Sequence, residues 1–249
     1  MELKTSNPAL GRSAWTTSAE HIGYGPTMTI SGTVNKAGIL IILVAASAVW
    51  TWDQFLNGGA AAIGGYMMAG LIGGLIFALA TIFKKEWSPI TAPIYALLEG
   101  LVLGGLSAIF EMRYHGIAIE AVALTFGTCF CMLLAYRAGL IRPTQRLTLG
   151  IVAATGGIAL VYFASMILGF FHVQIPGIFG SGPVGILFSL VVVGVASLNL
   201  ILDFGMIEEG ASRGAPKYME WYAAFGLMVT LIWLYMEMLR LLGKLRDRS

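Results

Sequence analysis

APIYALLEGLVLGGLSAIF, residues 92–110, carries no charge except Glu99. As a helix rising 1.5 Å per residue it would reach about 28 Å, close to the ~30 Å hydrocarbon core of a bilayer. A carboxylate at that depth costs about 3 kcal/mol or more unless it faces protein, water or a partner, so Glu99 is a functional-site candidate by default. The plain alternative is a structural hydrogen bond between helices.

The rest of the 249-residue chain matches that stretch. It is 57% apolar and 11% charged, with a mean hydropathy of +0.82. A soluble domain carries about 25% charged residues, so this chain cannot cover a water-facing surface and the lipid bilayer is its solvent. A net charge of +2 gives no reason to expect a nucleic-acid partner. Cys129 and Cys131, two apart within an apolar run, point to opposite sides of a helix and read as small hydrophobes rather than a disulfide. His21, His115 and His172 fall outside the apolar runs, and no Cys/His cluster has metal-ligand spacing. No cofactor is implied.

Seven apolar segments are expected near 37–56, 60–83, 90–110, 117–136, 147–171, 183–204 and 219–242, each long enough to span. The fold class is therefore all-α, an integral membrane bundle of seven transmembrane helices. Residues 1–35, rich in Ser, Thr, Gly and Asn, read as a flexible cytoplasmic tail, residues 36–243 as the membrane domain, and residues 244–249 as a basic tail. Pro89, Pro143, Pro183 and Pro216 fall at or just before helix starts, and Ser88 before Pro89 reads as a cap. The last segment is the most polar, with Glu220, Thr230, Glu237 and Arg240, which keeps open a six-span variant with that segment re-entrant.

Basic residues orient the chain. With the amino terminus inside, Lys4, Arg12, Lys36, Lys84, Lys85, Arg137, Arg142, Arg146, Arg213 and Lys217 all lie on the cytoplasmic side, and Arg113 alone occupies an outside loop. Arg240, Lys244, Arg246 and Arg248 follow at the carboxyl end. A multi-pass inner-membrane protein with a cytoplasmic amino terminus is expected.

Glycines stripe the segments. Ala69–Gly73, Gly70–Gly74 and Gly100–Gly104 have the spacing that lets helix backbones approach closely, as a tight bundle or a glycine-lined pore requires. In this orientation Glu99, Asp203, Glu208, Glu209 and Glu220 are expected to converge on the cytoplasmic half. Such a group would hold a hard cation such as Ca²⁺ or share protons. Glu237 and Arg240, three apart, are expected to pair on one helix face.

Residues 91–111, 136–163 and 199–243 resemble the bacterial branch of the Bax inhibitor/YccA family, with the match spanning roughly 36–243. The resemblance implies seven spans with the seventh enclosed by the other six. It further implies a pH-sensitive calcium leak, restraint of cell death in eukaryotes and, in bacteria, modulation of a membrane-bound ATP-dependent protease. The family's sensor is a pair of aspartates in the sixth and seventh helices. Asp203 matches the first, the second falls on Thr230, and the family's late arginine matches Arg240. Some members place a glutamate in the second helix, which here is uncharged. Glu99 and Glu220 are candidates to stand in for the missing aspartate.

The first functional expectation is thus a proton-gated cation leak, with Glu99 and Asp203 on the path, Ca²⁺ or protons as cargo and Arg240 as counter-charge. The alternative is a non-transporting regulator of a membrane-bound protease, presented through the tail. An enzyme is not expected: Asp203 lacks an aspartate partner, and no G-x-S-x-G or H-E-x-x-H pattern occurs.

Overall fold

The computed structural model describes residues 25–171 and 177–248. They form helices α1 (Ile30–Phe83), α2 (Ser88–Arg113), α3 (Ile117–Arg137), α4 (Gln145–Phe170), α5 (Pro183–Ser212) and α6 (Met219–Arg246), with a single 3₁₀ turn at Lys85–Trp87. All six helices are long and apolar enough to cross a membrane. The expected count of seven helices is not matched, because the first two expected segments lie in one 54-residue element interrupted at Gly59.

Straight, α1 would be about 80 Å long, far beyond any bilayer. Gly59 breaks it, with φ 69° and ψ −166°, a backbone region open essentially to glycine alone. The packing on α2 shows what the break does. Before it, Gly100 of α2 lies against Val44 and Ser47, and Gly104 against Ala48. After it, Gly105 meets Ile63 and Met67, Gly70 meets Leu98 and Val102, and Thr81 bonds Thr91 at 2.7 Å. Contacts with α2 thus ascend along the first half and descend along the second, as in a helical hairpin. Gly70, Gly100, Gly104 and Gly105 have no room for a Cβ, so these glycines serve close packing.

One end of the bundle gathers the starts of α1, α2, α4 and α6 and the ends of α3 and α5, with Lys84, Lys85, Arg142, Arg213 and Lys217; this is the basic end. The other is the far end. Helix α6 runs between them without a break, so the re-entrant variant does not hold. It packs on α1, α2, α3 and α5 and reaches α4 through Tyr162. Met228, Leu234 and Leu239 of α6 are almost fully buried. By contrast α4 buries only Ile151 and Ile158 among its described residues, and its backbone packs on α5, with Tyr162 its reach to α6.

Local details depart from expectation at both termini of the sequence. Residues 30–35 are helical, not tail. Thr29 caps α1, its hydroxyl accepting from the Gly32 N–H at 3.0 Å. Residues 25–29 lie on the α5–α6 turn: Thr27 bridges Pro216, Met28 N–H donates to Ala215 O at 2.7 Å, and the Met28 side chain is buried beside Gly210. The remainder of the expected tail, residues 1–24, lies outside the described residues. Helix α6 continues to Arg246, so the first half of the expected basic tail, residues 244–246, is helical. Ser88 is not a cap: it is the first residue of α2, and its hydroxyl donates to Tyr218 O at 3.0 Å. Asp203, Glu208 and Glu209 lie inside α5, which runs to Ser212 rather than ending near 204.

Candidate functional site

Three polar levels lie along α6. At the basic end Glu220, the second residue of the helix, is fully buried. Its Oε1 accepts from Thr29 N–H and Oγ1, each at 2.9 Å, and from Lys217 Nζ at 2.7 Å, while Oε2 pairs with Lys36. A methyl on Gly32 would overlap this carboxylate, so the glycine makes room for it. With two ammonium groups and a backbone donor, Glu220 has no spare valence for a metal or a proton. It clamps the start of α1 to the start of α6.

The middle level holds Asp203 and Thr230. Thr230 lies eleven residues into α6, and Asp203 nine residues from the end of α5, so both sit about 14–16 Å in from the basic end, near the middle of a ~30 Å core. The Thr230 hydroxyl is the hydrogen-bonding neighbour of the Asp203 carboxyl, and Cys129 of α3 is within its electrostatic reach. Thr230 Oγ1 also donates to Gly226 O, at 3.3 Å. Asp203 Oδ2 is buried without a hydrogen-bond partner among the described residues. No ion pair reaches Asp203 among those residues. An uncompensated acid inside a bundle is costly and marks a site by default.

The third level lies toward the far end. Glu237 is 1% exposed; its Oε1 accepts from Arg240 NH1 at 2.6 Å and from Tyr162 OH at 2.8 Å, and its Oε2 has no hydrogen-bond partner among the described residues. The guanidinium of Arg240 sits 5.1 Å from the centre of the Tyr162 ring. One heptad further, Lys244 Nζ donates to Ile178 O, Gly185 O and Ser189 Oγ at 2.9–3.0 Å, so every ammonium proton is used. Arg240 thus partners Glu237 and makes no ion pair with Asp203 or Glu99 among the described residues. The i,i+3 spacing foretold the pair; Lys244, expected in a basic tail, is instead a buried residue of α6, and Tyr162, an isolated hydroxyl in an apolar run, has no pattern of its own.

Glu99 is also near mid-depth, eleven residues past Ser88, but on another wall of the bundle. It interacts with Tyr95 one turn earlier, and its Oε2 comes within 3.4 Å of the place a methyl on Gly74 would take. Tyr95 is buried and edge-on to Phe225 of α6, ring centres 5.1 Å apart. Glu99 therefore faces protein rather than lipid, against the glycine-lined half of α1, and no hydrogen bond or ion pair joins it to Asp203. The convergence of acids is not seen. Glu208 bonds Tyr136, Glu209 pairs with Arg213, and no group of three or more acids, histidines or cysteines with metal-binding geometry occurs among the described residues. Neither Glu99 nor Glu220 stands beside Asp203; Thr230 does.

Six apolar helices, five of them arranged around the polar-striped α6, define a multi-pass, all-α membrane protein. The sequence model of the family described as Bax inhibitor 1 like matches residues 7–247, and the chain belongs to that family. No curated protein matches the chain significantly, and neither does any solved structure.

Proposed function

We propose that this protein is an inner-membrane cation leak whose state depends on the protonation of Asp203. Seven crossings are inferred, the α1 hairpin supplying two, with the amino terminus and the basic end in the cytoplasm as the distribution of Lys and Arg favours. The reading rests on one observation: an unpartnered carboxylate oxygen at mid-depth, opposite a hydroxyl of the most enclosed helix.

Chemistry follows from the single proton on Thr230. When Asp203 is ionised, that proton is best given to the carboxylate. When Asp203 is protonated, the carboxyl becomes the donor, to Thr230 Oγ1, and the Thr230 proton turns to Gly226 O. Protonation therefore changes both the charge on a cation's route and the hydrogen bonding that joins α5 to α6, which biases two packings of the bundle. The clamp at Glu220 and the Lys244–Glu237–Arg240 level bracket Asp203 from both ends, an arrangement suited to a closed form. Lone acids, rather than a multidentate cage, suit passage of Ca²⁺ more than its storage. Nothing in this scheme calls for catalysis, and no enzymatic role is proposed. Cation flux into proteoliposomes at several pH values tests it: Asp203→Asn should remove the pH response and Glu99→Gln should leave most of it. Flux unaffected by Asp203→Asn refutes the scheme.

A second reading, regulation of a membrane-bound protease, draws on the docking of residues 25–29 against Glu220 and the α5–α6 turn. A partner gripping the chain ahead of residue 25 would pull directly on that clamp. Deleting residues 1–24 separates the readings: loss of protease restraint with normal flux favours the second.

A further inference from the structure

A groove of about 680 Å³ opens on the side of the bundle between α1 and α3, which leave a gap between them. Its floor is α6, at Met228, Leu231 and Tyr235, with α2 behind. Along α1 it runs from Ile41 to Trp52, eleven residues or about 16 Å, from mid-depth to the far end. That length is one leaflet, half of a ~30 Å core.

The polar groups on its walls are few and lie toward the far end. Ser107 and Tyr235 share a hydroxyl bond of 2.6 Å, Thr125 Oγ1 donates to Ala121 O at 2.7 Å, and Glu111 accepts from Gly116 and Ala118 N–H groups. A water at the mid-depth end, among Ile41, Val44, Met228 and Leu231, would need two to four polar partners and meets apolar side chains instead. Left empty, the walls would forfeit their dispersion contacts. An open, dry, apolar slot at bilayer depth is filled by what surrounds it.

We propose that this groove is a binding site for one acyl chain of a phospholipid in the far-end leaflet, its methyl end against Met228 and Leu231 of α6. Trp52 and Glu111 then lie at headgroup level, where an aromatic ring and a carboxylate are at home. The lipid touches α6 on the face away from Asp203, so it supports the central helix directly. The site holds whether or not the chain conducts ions.

The test uses the full chain in vesicles of phosphatidylcholine doped with a phospholipid carrying a photoactivatable diazirine, either at the end of one acyl chain or next to its ester. After illumination, mass spectrometry locates the labelled residues. The chain-end probe should label Ile41, Val44 and Ile232, which line the mid-depth end and are partly exposed, and the ester-proximal probe Trp52 and Ile119. Ala45 lines the groove and is exposed, so Ala45→Trp, which fills the slot without disturbing the core, should cut chain-end labelling of Ile232 at least fivefold. Val122→Trp, from the α3 wall, should do the same. Labelling confined to outer faces such as Leu160 and Phe163 of α4 would overturn the proposal. So would equal labelling of Ile232 in wild type and both variants, or crosslinks from these groove residues to a second copy of the chain.

Discussion

Lys36 and Glu220 form an ion pair although 184 residues separate them in sequence, and the pair fastens the first turns of α1 to those of α6. Glu220 is fully buried while Lys36 and Lys217 keep part of their surface in solvent, Lys217 45% of it. Replacing one member of a fully buried pair costs about 3–5 kcal/mol, and partial solvation of the lysines lowers that figure. Glu220→Gln is expected to destabilise by about 2 kcal/mol, read by thermal unfolding in detergent, and to expose residues 25–30 to protease. An unchanged melting temperature with an unchanged cleavage pattern would show that the clamp holds nothing.

At the other level, Arg240→Ala leaves the buried Glu237 carboxylate with the Tyr162 hydroxyl as its remaining hydrogen-bond partner among the described residues. A loss of about 2–3 kcal/mol is expected, given that the Arg240 side chain is 35% exposed. Adding Glu237→Gln to that variant should restore about 1 kcal/mol or more, because the stranded charge is gone. Additive losses in the double variant would contradict the pairing.

The glycines divide cleanly. Gly104→Ala presses a methyl into the Ala48 backbone and is expected to cost about 1–3 kcal/mol, whereas Gly64→Ala, in open space, should cost nothing measurable. Gly59→Ala forces a side chain onto a glycine-only backbone angle and is expected to cost about 1–3 kcal/mol without any clash. Melting temperatures of the three variants in one detergent decide this.

Sequence reading reached the helices because a bilayer demands long apolar runs, and the Gly100–Gly104 spacing already marked where α1 and α2 interlock. It misjudged the acids. Glu220 looked like a member of a carboxylate cluster, but its distant partners are Thr29, from a polar stretch without apolar periodicity that read as tail, and Lys36, which read only as a marker of orientation. Ser88 looked like a cap because Pro89 follows it; the tertiary contact with Tyr218 took the hydroxyl instead. Glu99 was read by its depth, yet depth says nothing about azimuth, and the helix turns it toward Tyr95 and Gly74. Thr230 was found only through family resemblance, since a threonine in an apolar run has no pattern of its own.

At the far end Asp247 accepts from the Tyr114 hydroxyl and, at 3.0 Å, from Ser181, and pairs with Arg113 at 2.8 Å. The Tyr114 bond first, then the Ser181 bond, holds its carboxyl below the usual carboxylate range. The folded state favours the ionised form, so the stabilisation is complete above the unfolded value of about 3.9 and is lost as pH falls through the lower folded value. The protection of residues 178–182 against hydrogen exchange, taken relative to the intrinsic rate at each pH, should fall on acidification below about pH 4, and Asp247→Asn should leave that protection low at every pH.

Thr230→Val keeps the shape of residue 230 but removes the hydroxyl beside Asp203. The pH midpoint of flux is expected to shift upward, because the ionised carboxylate loses a donor, and the shift should vanish in the Asp203→Asn background. A shift that persists there would separate Thr230 from Asp203.

The most direct measurement is calcium entry into proteoliposomes stepped from pH 8 to pH 5, wild type beside Asp203→Asn. The account predicts a pH-dependent rate for wild type and a flat one, at one extreme of the wild-type range, for the variant. Superimposable pH profiles for the two proteins would contradict it.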